Sequence, residues 1–164
     1  AIFGRKEHLM GRIDNRIAEL GITLPEASSP IANYVTSQRS GNLVFFSGAG
    51  AFDAGGSPLY QGKLGAEVSK SEGYQAARSA AVTLIANMKK EIGDLDKVTR
   101  IVKLLGFVAS SDGFYEQPYV INGASDLFVE VFGEAGKHSR SAVGVSSLPL
   151  NLPVEIEIIV EASV

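Results

Sequence analysis

An α+β fold is what the sequence predicts: a mixed β-sheet with two main helices packed on one face, in the order ββ-α-β-α-ββ, and a short N-terminal helix ahead of them. Three observations predict it. Apolar residues recur at helical spacing in two long stretches bounded by cap signals. Between and around these stretches lie short β-prone runs bounded by turn residues. The 164 residues, 45% hydrophobic and 20% charged, fit one domain with a substantial core.

The elements follow in order. Asp14 to Leu20 reads as a short helix, with Ile13, Ile17 and Leu20 at helical spacing and Gly21 as its stop. Leu24 to Pro30 is a Pro/Ser connector. Asn33 to Arg39 and Leu43 to Ser47 read as a hairpin around "SGN", and "FDAGGSPLYQG" as a loop turning at Gly55-Gly56. Ser69 and Glu72 form a capping box. After it Ala76, Ala77, Ala80, Ala81, Leu84, Ile85 and Met88 line one helix face up to Gly93. Those small residues predict close packing on a sheet. Val98 to Ala109 is a long apolar strand. Pro118 opens the second helix, whose Ile121, Ala124, Leu127, Phe128, Val131 and Phe132 recur up to Gly133. Ser141 to Ser147 and Val154 to Ala162 read as a closing β hairpin. In the latter strand Val154, Ile156 and Ile158 face one way and Glu155 and Glu157 the other. Helices on one face leave the other sheet face apolar and uncovered, which predicts self-association. Residues 1–32 are expected to form an N-terminal extension and 33–164 a single domain.

Several function classes are set aside. The net charge of −3 argues against broad phosphate-backbone binding, which needs clustered Lys and Arg. With no cysteine there is no disulfide, thiolate nucleophile or zinc–thiolate site. No apolar run approaches the roughly 18 residues a membrane span needs. The N-terminal "AIFGRKEHLMGRIDNRIAEL" lacks a long apolar core and carries acidic residues, so it is expected to be neither a secretory signal nor a transit peptide. The chain is expected in the cytoplasm. Met10-Gly11 is a candidate start, with 1–9 as upstream sequence. His8 and His138, the two histidines, do not form a ligand pair at useful spacing, and no metal or other cofactor is expected. His138 reads as a plain loop or strand-edge residue. "SGAGAFDAGG" lacks the Lys-Ser/Thr and helix opening of a phosphate loop, although Ser47-Gly48 would let a ligand approach the backbone closely. Nothing resembles a nucleophile elbow, and His138 has no evident carboxylate to orient it.

What remains is a lone arginine. Arg140 sits between two serines just before a strand, and carboxylates follow on the return strand. A strand-edge arginine is most often a solvated charge or an ion-pair partner, and Glu155 is most simply an exposed face residue. Chemistry offers another use. A guanidinium fork binds a planar carboxylate bidentately, and a carboxylate nearby favours a cation or holds a water. That pairing suits a small zwitterion.

"HSRSAVGVSSLPLNLPVEIEIIV" resembles the C-terminal signature of the RidA/YjgF family of reactive-intermediate imine deaminases: Arg-Ser opening a strand, Leu-Pro, then a strand of alternating hydrophobic and Glu residues. "NYVTSQRSGNLVFFSGAG" resembles the family's N-terminal hairpin, and "VINGASDLFVEVFGEAG" its second helix with an early Asn. The likeness runs from about Asn33 to Ala162, in a longer subgroup with a helical N-terminal extension. It implies a chorismate-mutase-like α+β fold and homotrimers with ligand clefts between subunits. Arg140 would clamp the substrate carboxylate. Glu155 would position the hydrolytic water or stabilise the iminium. Tyr34, Ser47, Gly48 and Asn122 would line the cleft, and the backbone at Ala142 would donate to the ligand. Many members have Arg-Ser-Cys where this chain has Arg140-Ser141-Ala142, so no thiol is available there. "SGAGAFD" likewise stands where many have Ser-Gly-Gln.

The implied reaction is hydrolysis of a 2-imino acid, or its enamine tautomer, to a 2-keto acid and ammonia. Three alternatives stand beside it. One is a binding module holding a small carboxylate without turnover. Another is a ribonuclease or translation inhibitor, an activity also attributed to the family, against which the acidic charge and the missing His pair weigh. The third is a deaminase for a specific catabolic intermediate such as an aminomuconate. The expected partners are an imino-acid or other small carboxylate ligand and two further copies of the chain, with neither a membrane nor a nucleic acid.

Overall fold

The computed structural model describes residues 10–164. His8 and the reading of 1–9 as upstream sequence lie outside the described residues.

Helix α1, Arg12–Glu19, opens at Gly11, and its first free N–H groups meet a distant partner. The Asp96 carboxylate accepts from the Arg12 and Ile13 amides at 2.9 and 2.8 Å. It fills the place of an N-cap side chain. Ile13 and Ile17 point into the same core as the rest of the chain. Strands β1, Ser37–Ser40, and β2, Leu43–Ala49, form the expected hairpin, turning at Gly41 with φ of +59°. The first strand starts four residues later than the pattern predicts. Ahead of it Thr36 and Val35 accept bonds from the Ser47 amide and hydroxyl instead of extending the ladder. The register of β2 slips there, between Phe46 and Ala49.

Helix α2, Lys70–Ile92, has the predicted capping box, and Gly93 caps its C-terminus at φ +82°. Ala76, Ala77, Ala80 and Ala81 are fully buried. Strand β3, Val98–Ala109, has the predicted bounds. Helix α3, Gln117–Phe132, crosses α2 closely because of Gly123, where a Cβ would lie 2.0 Å from the Tyr74 carbonyl oxygen. Tyr74 donating to Asp126 at 2.7 Å and Arg78 paired with Glu130 at 2.7 Å hold the two helices together.

The last two strands correct an expectation. Strands β4, Ser139–Val145, and β5, Val154–Ala162, are not a hairpin. The sheet order is β1-β2-β5-β3-β4. β4 lies parallel to β3 at the edge, while β5 runs antiparallel between β2 and β3. The reason is hydrophobic. Val154, Ile156, Ile158 and Val160 are each 2% exposed or less. Only a central strand, flanked on both sides and roofed by helices, buries a row that completely. Pro149 and Pro153 also make the connection a poor tight turn. β4 starts earlier than predicted, so Arg140 lies within the strand rather than before it.

The sheet thus has two unlike faces. Leu104, in register with Arg140 and Ile158, belongs to the face under α2 and α3. Phe107, in register with Val143 and Glu155, belongs to the other. On that second face Phe45 and Val143 are 40% and 42% exposed.

Candidate active site

Two groups of the predicted residues come together, one on each face. On the helix face β4 presents Arg140, with Ala142 two residues on, to helix α3. Arg140 Nη1 donates to Asn122 Oδ1 at 2.7 Å and to Ser125 Oγ at 3.2 Å. Asn122 and Ser125 stand three residues apart, one above the other on α3. Ala142 is partly buried against the core. A terminal guanidinium nitrogen carries two hydrogens, so Nη1 is saturated by these acceptors. The opposite edge, Nε and Nη2, stays available. Among the described residues Arg140 forms no ion pair. Arg140 and Glu155 cannot pair within one chain, because the two lie on opposite faces of the sheet.

The sequence reading missed two members of this group. Ser125 Oγ lies 2.9 Å from His138 Nε2, and His138 Nδ1 lies 2.7 Å from the Gly136 carbonyl oxygen. The half-buried imidazole meets Phe128 edge-on, centroids 6.0 Å apart. Burial pushes its pKa below the usual histidine value and the Arg140 charge lowers it further, against the opposing pull of the Gly136 hydrogen bond. The neutral ring is the favoured form at pH 7. His138 is thus no plain loop residue. A helical step of three from Asn122 to a second polar residue was the available signal.

On the other face Glu155 meets Gly48. A Cβ at position 48 would lie 2.3 Å from Glu155 Oε1, so only glycine leaves room for this carboxylate. Half-burial pushes the Glu155 pKa above the usual carboxylate value, and the neighbouring Glu157 charge adds to it. Tyr34 and Ser47 line a nearby cavity of about 460 Å³ together with Phe45, Gln38 and Glu157. The Ser47 hydroxyl donates to the Val35 carbonyl at 2.6 Å, which ties down the segment carrying Tyr34. Among the described residues no three metal-ligating side chains converge, and no helix is long and apolar enough to cross a membrane.

Fold and site residues together define a class. The family model described as "YjgF/chorismate_mutase-like, putative endoribonuclease" matches residues 14–161. Protein TCP17 of Trypanosoma cruzi is 46% identical over 153 residues, 92% of this chain and 94% of that protein. The crystal structure of Atu1372 from Agrobacterium tumefaciens, a protein of unknown function, matches with a TM-score of 0.85 at 45% identity, covering 93% of this chain and 92% of that one. A protein from Shewanella oneidensis MR-1 that carries the same endoribonuclease designation matches with a TM-score of 0.89 at 35% identity, covering 92% and 99%. The chain belongs to the YjgF/RidA family, and its α+β fold is the YjgF/chorismate-mutase-like one.

Proposed function

We propose that this chain hydrolyses reactive 2-imino acids, or their enamine tautomers, to 2-keto acids and ammonia. The observation that carries the reading is the state of Arg140. It is a half-buried cation held by two neutral acceptors, with an unused Nε/Nη2 edge and no carboxylate partner among the described residues. Such an edge matches a substrate carboxylate with two parallel hydrogen bonds. Asn122 turns its oxygen to the guanidinium, which leaves its amide N–H groups to the ligand. Ala142, one strand repeat along β4, offers backbone rather than a thiol. Serine is bound in the crystal structure of Escherichia coli TdcF, whose fold this chain shares with a TM-score of 0.59 at 23% identity. That ligand has the carboxylate and amine the arginine reading calls for.

The chemistry asks little of the protein. The iminium carbon is already electrophilic. Water adds to it while a base removes one water proton, giving a carbinolamine. That proton passes to nitrogen, the C–N bond breaks, and ammonia leaves as the carbinol O–H gives its proton back to the base and the C=O forms. Glu155, its pKa raised by desolvation, is suited to take and return that proton. Tyr34, Ser47 and Gly48 would shape the wall on the Glu155 side.

Within one chain Arg140 and Glu155 face opposite sides of the sheet. The proposed site is completed by a second copy in a homotrimer, whose interface covers the apolar face bearing Phe45 and Val143. Ammonia release from a 2-imino acid generated in place tests the reading. Ligand binding without release would assign the cleft to sensing instead. The endoribonuclease designation of the family model is a second reading. It predicts RNA cleavage that Arg140→Ala abolishes, from a chain with a net charge of −3.

A further inference from the structure

The Arg140 group extends beyond the residues that would touch a ligand, and its hydrogen bonds have a direction. The Gly136 carbonyl only accepts, so His138 Nδ1 carries the imidazole proton and Nε2 presents a lone pair. The Ser125 hydroxyl must then donate to Nε2, which turns an oxygen lone pair toward Arg140 Nη1. The order of donation is Arg140 to Ser125 to His138 to Gly136, with Asn122 taking the other Nη1 hydrogen.

We infer that Ser125 and His138 are positioning residues for Arg140: the neutral imidazole fixes the Ser125 hydroxyl, and the hydroxyl fixes the guanidinium so that its Nε/Nη2 edge meets the ligand carboxylate. Each member is itself restrained. His138 is wedged against Phe128 and tied to Gly136, where a Cβ would lie 2.1 Å from the Phe128 carbonyl oxygen. Ser125 and Asn122 are fixed by α3. With Asn122 alone, Nη1 would have one anchor and the guanidinium plane could swing about it. Two anchors define the plane, and bidentate recognition depends on the plane. Arginine has several rotatable bonds, so holding it before the ligand arrives removes an ordering cost from binding.

This inference rests on the reading of Arg140 as the carboxylate clamp. The experiment uses pyruvate as the probe, titrated into the full chain by a method that reads affinities into the millimolar range. Ser125→Ala and His138→Phe, the latter keeping a ring against Phe128, are each made on the native background and on Arg140→Lys. On the native background each is expected to weaken pyruvate binding about tenfold, the equivalent of about 1.4 kcal/mol. On Arg140→Lys, which has no plane to orient, each is expected to change binding less than about twofold. A purely structural role would persist in both backgrounds, and that result overturns the inference. So do single variants that bind pyruvate as the native chain does while Arg140→Ala does not; the clamp then survives alone. Unchanged pyruvate binding in Arg140→Ala removes clamp and inference together. Should His138→Phe fail to fold, Ser125→Ala carries the cycle by itself.

Discussion

Replacing Arg140 by alanine separates a ligand-directed arginine from a structural one. In the free chain the side chain makes two bonds, both to neutral acceptors. Such bonds from a charged donor are worth about 1.5–3 kcal/mol when shielded, and solvent screening at this half-exposed group trims each to about 1 kcal/mol. Asn122 and Ser125 border a half-open site, so water replaces the lost donor. The stability cost is therefore about 1–2 kcal/mol, a melting shift of roughly 2–8 °C for a chain this long. The cost to turnover is larger. The Nε and Nη2 donors would each make a charge-assisted bond worth about 1.5–3 kcal/mol when shielded. Partial exposure trims the pair to about 3–5 kcal/mol, or roughly 10²–10⁴-fold in kcat/KM. Arg140→Lys keeps the charge but not the plane and should stay within about tenfold of the alanine variant. The assay is the initial rate of ammonia release from a 2-imino acid generated by an amino-acid oxidase, with a melting curve on the same sample. Native turnover in Arg140→Ala refutes the clamp. Unfolding large enough to explain the lost activity refutes the claim that the arginine serves a ligand.

Other perturbations address the second face and the assembly. Glu155→Gln should lower turnover by roughly 10²-fold, as for other proton-transfer groups, while kcat for the native chain falls off on the acid side at a pH above the usual carboxylate pKa. The same variant should melt higher than the native chain at neutral pH. The Glu155 pKa is raised in the folded state, so its stabilising contribution is complete below the unfolded pKa and is lost as pH rises through the folded one. The advantage of Gln should shrink as the pH falls from neutral through the raised folded pKa and be gone below the ordinary value of 4.5. A neutral variant that melts no higher at pH 7 would refute the desolvation of this carboxylate. Gly48→Ala sets a Cβ against Glu155 Oε1, the mobile end of a side chain, so it should displace the carboxylate and lower turnover while leaving a folded protein. Native activity in that variant would mean the carboxylate position is immaterial. Light scattering at micromolar concentration should give three times the chain mass, and a monomer mass would remove the shared site.

What could be read from the sequence was what local chemistry determines. Ser69, Glu72 and Gly93 bound α2 because caps are built from adjacent residues. β3 was found whole because its apolar run is long and ends at turn residues. The partner of β4 was not local information. Adjacent strands with alternating residues suggest a hairpin, but the completely buried row from Val154 to Val160 draws β5 into the middle of the sheet and leaves β4 beside β3. The same limit applied to the site. Arg140 is conspicuous as a lone guanidinium, and the family signature supplied Asn122. Ser125 and His138 meet only because α3 lies across β4, and a serine on a helix carries no mark of its neighbours. The opposite-face placement of Arg140 and Glu155 followed from register, which the misread hairpin obscured.

That placement has a genetic corollary. If each site draws its arginine from one subunit and its glutamate from the next, no single folded copy contains a complete site. Two alleles, one lacking Arg140 and the other lacking Glu155, would each be silent alone. Expressed together and assembled at random, they would regenerate intact sites at about one junction in four, where an arginine-bearing subunit happens to abut a glutamate-bearing one. Conversely, a defective copy in a heterozygous cell would spoil the sites on both sides of itself only if both residues were altered, so single-residue alleles would be milder in mixture than their homozygous loss implies.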